Sequence, residues 1–302
     1  MSIIIIIIIT TTRRTKRGRV VATPVYCVIT QLGTPAADVA NTVQRFTHCV
    51  DRVNTWMARN RLKLNADKSQ VVWIGTSGQL IDITQLQLGS IIVPFSTTVA
   101  DLGVTIDSQL SMTAPISSLC RSCFYQLRQL RAIRHSLTTD AARTLVQAFI
   151  SSRLDYCNSL LYGIADCQLR RLQCIQNAAA RLITRTRKFD HVSPVLRDLH
   201  WLPVRQRIIF KVATLVFKCL HGLAPSYLTE YCTPVSTIEG RRHLRSATTQ
   251  LLFVPSYRTT FGSRSFAVSG PTVWNNLPAT LRTYDYSVAA FRKKLKTHLF
   301  NT

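Results

Sequence analysis

The side chains that could do chemistry in this sequence are cysteines, histidines and a large excess of arginines; carboxylates are few and scattered. Of the 14 acidic residues only Glu230 and Glu239 are glutamate, and no two acids are adjacent. Metal-dependent phosphoryl transfer draws on clustered oxygen ligands, so the chain is poor material for a carboxylate-held metal. Cys120-x-x-Cys123 has the spacing of half a zinc site, but the candidates for a second pair, Cys167, Cys174 and His191, stand at unsuitable spacing. No metal ligand set is expected. The nine cysteines are odd in number and no secretory signal is read before them. Most lie in helical patterns, so they read as reduced intracellular thiols, buried or half-buried. His191, His200 and His221 have no Ser, Cys or Asp partner at informative spacing and read as core or turn residues.

The basic residues carry the strongest chemical signal. There are 38 Lys+Arg against 14 Asp+Glu in 302 residues, a formal charge of +24, and 29 of the 38 are arginine. A 46% hydrophobic content excludes a disordered basic tail. Charge of this sign and size calls for a polyanionic partner, and arginine suits bidentate phosphate contact. Residues 34–110 are neutral, whereas residues 111–222 hold 17 bases and 5 acids, and 223–302 hold 10 and 3. Two clusters are the candidate phosphate contacts. Arg170, Arg171, Arg181 and Arg185, extended by Arg187 and Lys188, lie on a segment whose other face is Leu169, Leu172, Ile175, Ala179, Leu182 and Ile183. Arg292, Lys293, Lys294 and Lys296 form the second cluster, a pattern that also serves nuclear targeting. RNA and DNA, bound without sequence choice, are the expected partners, and the expected location is intracellular, cytoplasmic and/or nuclear.

The elements that must position these residues follow from periodicity. Ile3–Ile9 are seven consecutive isoleucines, too short to span a bilayer as a helix and followed, not preceded, by the basic Arg13–Arg17. No membrane partner is expected, and residues 1–33 are expected to be a low-complexity, disordered leader. Thr34 as N-cap and Pro35 as first residue open a helix with Val39, Val43, Phe46, Val50, Val53 and Met57 on one face, ending near Asn60. Ser69–Gly75 reads as a buried strand, and Gly89–Ile106 offers two more around Pro94. From about Ala114 four helical stripes follow. The first carries Ile116, Leu119, Cys123, Leu127, Leu130 and Ile133. The second starts at Thr139-Asp140 and carries Leu145, Val146, Phe149 and Ile150. The third runs from Asp166 to about Arg185, and the fourth from Pro203 to Gly222. Arg241–Arg245 reads as a basic loop, Leu251–Val254 as a strand and Ser287–Phe300 as a basic helix.

Several blocks of this text resemble a known family in order along the chain. Asn54–Gly75 (NTWMARNRLKLNADKSQVVWIG) resembles the segment after the catalytic loop in reverse transcriptases of non-LTR (LINE-type) retrotransposons of the jockey/chicken-repeat group. Asp101-Leu102-Gly103-Val104 with Asp107, Arg153–Gly163 (RLDYCNSLLYG), His200–Val204 (HWLPV), and Arg264-Ser265-Phe266 with Gly270–Pro278 (GPTVWNNLP) are similar to successive later blocks. The resemblance covers about residues 34–300. It implies the C-terminal part of an RNA-directed DNA polymerase whose fingers and most of the palm lie upstream. The expected fold class is therefore α+β: a palm remnant of helix and short strands at 34–107, a mainly helical thumb-like bundle at 108–222 and a small mixed basic C-terminal unit at 223–302.

The resemblance also bears on catalysis. Tyr26–Leu32 (YCVITQL) sits where the family's Tyr-Ala-Asp-Asp loop would stand, which puts Val28 and Ile29 at the two metal-binding aspartates. An unrelated leader joined by truncation or a frame change is the other reading. In either case the carboxylates for the Mg²⁺ of the intact family enzyme are missing, and no cofactor is expected to bind. Lys68 resembles the lysine that approaches the incoming nucleotide's phosphates; without the aspartates an ordinary turn lysine is the favoured reading. The chain is expected to be an inactive fragment with residual RNA and DNA binding. The alternatives are an enzyme completed by an upstream palm, and a domesticated helical protein-interaction module.

Overall fold

Isoleucine branches at Cβ and favours extended backbone. In the computed structural model the isoleucine run lies in strand β1 (Ser2–Arg14). The structure describes residues 2–14, 20–21, 27–35, 39–64, 69–74, 85–88, 91–101, 103–238, 250–260, 262–283 and 285–302. These belong to two compact units, Met1–Pro115 and Ile116–Thr302. The chain is mixed α+β, with most of its helix in the second unit.

In the first unit both edges of β1 are paired. It runs antiparallel to β3 (Cys27–Pro35) over Ser2–Thr10 and to β5 (Gln70–Ile74) over Ile4–Ile8. Strands β2 (Val20–Val21) and β4 (Leu62–Leu64) complete the pairing near Arg13. β6 (Gln85–Leu88) pairs antiparallel with β7 (Ile91–Ser96), and β7 joins parallel to β5. β8 (Thr98–Asp101) and β9 (Val104–Asp107) form a separate ribbon about Gly103. The leader expected to be unstructured thus shares one sheet with the segment that follows it. Helix α1 (Val39–Arg59) lies against β3, β4 and β6 and buries Phe46, Val50 and Met57 of its expected stripe. It starts later than the capping pattern suggests, because Thr34 and Pro35 pair with Ile3 and Ser2 in the ladder. There a run of cross-strand pairing overrides one local cap.

Helix α2 (Thr113–Ile133), all but its first three residues in the second unit, buries Ile116, Cys120, Cys123, Leu127 and Leu130. Before it, in the first unit, Asp107 accepts from the backbone N–H groups of Ser111 (2.9 Å) and Met112 (3.1 Å). Burial pushes the Asp107 carboxyl up, but the hydrogen bonds from Ser111 and Met112 outweigh it and hold the group below its ordinary value. Helix α3 (Thr139–Val146) is capped by the Thr138 hydroxyl. A π turn at Gln147–Ser151 then leads into α4 (Ser152–Asp155). The wider turn shifts the face: Ile150 is buried, while Phe149, expected inside, is 38% exposed. Helices α5 (Asp166–Thr184) and α7 (Val204–Leu220) match the third and fourth stripes, with α6 (Val192–Asp198) between them.

Helix α7 is apolar on more than one side, so a single neighbour cannot cover it. It packs on α5 and on α8 (Ser226–Thr229), α9 (Phe266–Asn275) and α10 (Val288–Phe300). Phe217 of α7 stacks on Phe291 of α10 at 4.1 Å between centroids, and Trp274 of α9 closes on Phe291 at 6.0 Å. Residues 223–302, expected as a separate unit, therefore share their core with α7. The strand expected at Leu251–Val254 is reduced to a single bridge, Pro234 with Leu252. The Asn275 side chain takes the place of a neighbouring strand: its Oδ1 accepts from Leu252 N–H and its Nδ2 donates to Leu252 C=O, both at 2.8 Å. No helix among the described residues is long and apolar enough to cross a membrane.

Candidate nucleic-acid interface

Helix α5 buries all six of its expected apolar residues and turns Cys167, Arg170, Arg171 and Cys174 to solvent. Arg170 lines an open groove of about 330 Å³ with Asp166, Leu169, Gln173, Val204 and Arg205. The N-terminus of α7 enters this groove with no acid in its first turn. Its Val204 N–H donates to Gln173 Oε1 at 2.9 Å. Arg205 pairs with Asp166, but both side chains are mostly exposed, so water competes for the pair and it adds little stability. The groove thus offers two guanidinium groups and a positive helix end against one carboxylate, a setting that favours an anion.

The other sequence-selected cations divide into free and committed groups. Arg185 ends α5 in the left-handed conformation (φ +59°) with its side chain exposed, as are Arg187 and Lys188. Lys188 lies 5.6 Å from the ring of Phe189, which is 91% exposed. Arg171 donates to Gln168 Oε1 (2.9 Å) and Ser117 Oγ (3.1 Å) while remaining exposed. Arg181 corrects the sequence expectation. It is half-buried and donates to the carbonyls of Arg187 (3.2 Å) and Asp190 (3.0 Å), so it braces the 185–190 loop instead of facing a phosphate. On α10, Arg292, Lys293 and Lys294 are exposed and Lys296 is half-buried. Arg292 lies over Phe210, Lys294 over Tyr286 and Lys296 over Phe300, at 5.7, 4.5 and 5.9 Å.

Two arginines that sequence reasoning passed over are structural. Arg134 is buried and donates to the carbonyls of Leu182 (2.7 Å), Ile183 (2.8 Å) and Leu137 (2.7 Å), closing the C-terminal end of α5. It follows Ile116, Cys120, Cys123, Leu127 and Leu130 at steps of three and four, and that spacing was the available signal. Arg207 donates to both Asp155 oxygens (2.9 and 3.0 Å) and to Leu202 O (2.9 Å), beside the Trp201 ring.

The blocks that carry the family resemblance meet through such contacts. Asp155 belongs to RLDYCNSLLYG, and its partner Arg207 holds the carbonyl of Leu202 in HWLPV. Arg264 donates to Tyr162 O, and a Cβ at Gly163, where φ is +69°, would stand 2.9 Å from Arg264 Cγ. Trp274 Nε1 donates to Gln250 O at 3.0 Å. These residues anchor turns and helix ends. Val28 and Ile29 lie inside the continuous strand β3, opposite Ile9 and Ile8, and not in a hairpin turn. Tyr26, Lys68 and Arg241–Arg245 fall outside the described residues. Among the described residues no group of three or more His, Cys, Asp or Glu could hold a metal ion.

Eight cysteine side chains are described, and all are free thiols. Burial pushes the Cys123 thiol up to about 11 and the Cys232 thiol up to about 12; it raises Cys120 and Cys219 as well. Cys49, Cys167 and Cys174 are exposed, contrary to the expectation that the thiols are buried or half-buried. Because the thiolate is the nucleophile, a maleimide at pH 7.5 is expected to modify these three at least about tenfold faster than the four buried ones. Peptide-level mass spectrometry reads the difference, and urea should abolish it. Equal rates in the native protein would contradict the packing of α2 and α7.

Comparison with protein-family profiles, with curated proteins and with solved structures finds no match. What the fold and the site define is a mixed α+β chain with a sheet-bearing first unit and a basic, mainly helical second unit.

Proposed function

We propose that this chain is a catalytically inactive relic of a non-LTR retrotransposon reverse transcriptase that keeps a non-specific affinity for RNA and DNA. The observation that carries the reading is the ordered set of sequence blocks from residue 54 to residue 278, joined to a surplus of exposed cations on the second unit. The contacts among those blocks support it, since blocks far apart in sequence pin one another's turns. The residue types at Val28 and Ile29 support the loss of activity, because neither can ligate Mg²⁺.

Binding of this kind works by counterion release. If about six phosphates are neutralised, log K for a single strand should fall with log salt at a slope of about −4. The full chain is titrated into labelled RNA and DNA oligonucleotides of unrelated sequence at several salt concentrations. Arg170, Arg185, Arg187 and Lys188 are then replaced together by Gln, sparing Arg181. The variant slope should flatten by up to about 3 for a single strand. An unchanged slope would remove this cluster from the interface. No binding at all would sink the reading in favour of a protein-interaction module. Primer extension with Mg²⁺ or Mn²⁺ should give no product above a blank, and robust extension by this chain would overturn the claim of inactivity.

A further inference from the structure

The solvent face of α2 carries two aromatic rings flanked by arginines. Taken at 100° per residue, Arg121, Phe124, Tyr125, Arg128 and Arg131 fall within about a third of the helix circumference, on the flank beside the buried stripe. All five are exposed; Phe124 is 44% and Tyr125 58% accessible. From Arg121 to Arg131 the face spans about 15 Å. There is no acidic residue between Asp107 and Asp140, so nothing on this helix neutralises it. Other elements add charge at its margins: Arg171 of α5 reaches Ser117, and Arg153 of α4 reaches Ser122.

The geometry points to an unpaired polynucleotide strand as the occupant of this face, with phosphates on Arg121, Arg128 and Arg131 and bases stacked on Phe124 and Tyr125. Each alternative leaves part of the face unused. An apolar protein surface would cover the rings but strip water from three guanidinium groups. An acidic peptide would pair the arginines but give the rings nothing to stack on. A duplex keeps its bases inside, so it too would satisfy only the charges. Flat, sequence-tolerant stacking beside a basic track is how single strands are held without base readout. The inference rests on the proposed nucleic-acid binding and adds to it a site and a preference for unpaired bases.

The test uses the full chain and two labelled probes of equal length and charge, a 12-nucleotide oligothymidylate and its abasic counterpart. Wild type should bind the base-bearing strand more tightly. Phe124→Ala with Tyr125→Ala should weaken the oligothymidylate by roughly tenfold or more and leave the abasic strand unchanged. Arg121→Gln with Arg128→Gln should weaken both probes and flatten the salt slope by about 1.4. Because all four side chains are exposed, urea midpoints should match wild type, and that is measured alongside. If wild type binds and the aromatic variant loses nothing on either probe, the α2 site is wrong while the broader reading stands. If wild type binds neither probe, both fall. Loss of the abasic probe equal to that of the base-bearing one would likewise overturn the stacking role.

Discussion

Trp274→Ala is expected to destabilise the second unit by about 3–5 kcal/mol, the range for deleting a buried large aromatic. Trp274 is fully buried in the core that α7, α9 and α10 share, and it closes on Phe291, which stacks on Phe217. Its loss opens a cavity at the junction of three helices and frees the Gln250 carbonyl from the indole N–H. Phe should recover much of the packing but not that hydrogen bond, so Trp274→Phe should lie between wild type and the alanine variant. Urea denaturation followed by circular dichroism measures the difference. A cost below about 1 kcal/mol for alanine would mean that residues 223–302 do not share a core with α7. A single cooperative transition for 116–302 is expected on the same ground.

Arg134→Met should cost about 2–4 kcal/mol. Methionine keeps the volume and the helix propensity of the position but leaves three carbonyls without their donor. Two of those carbonyls, at Leu182 and Ile183, are among the last of α5 and have no later turn to bond to. The guanidinium suits the place because its planar fork serves several acceptors at once, and the negative end of α5 offsets its charge where no carboxylate among the described residues does. Arg134→Lys should therefore recover less than half of the loss, since one ammonium on a flexible stem cannot span the three acceptors. Full rescue by lysine would show that charge alone matters there. A methionine variant as stable as wild type would sink the capping role.

These two residues illustrate what was open to inspection along the chain. Trp274 could be named as a core anchor from its type and place, a tryptophan just before the Asn275-Asn276 turn. Arg134 was hidden by its type. Arginine is read as surface and phosphate contact, and only its place on the three-and-four spacing of the α2 stripe marks it as inward. Arg181 shows the converse: its helical position suggested the exposed face, and the 185–190 loop then folded back to give it two carbonyls.

The sequence by itself determined the long helices but not α6, α8 or α9, because a 3.6-residue period is a property of many consecutive side chains and needs no distant partner. The positions of α2, α5, α7 and α10, and the buried residues of α5, follow from it. It also determined the excess positive charge and the absence of clustered carboxylates, which are matters of composition. Only the tertiary structure decided which cations remain free, since two of the three acceptors that claim Arg134 lie 48 and 49 residues away. It likewise drew the isoleucine run into a sheet with Cys27–Pro35 and Gln70–Ile74, and it merged residues 223–302 with α7. Strand partners and the second face of an apolar helix are set by long-range burial, and no local pattern states which distant segment will provide it.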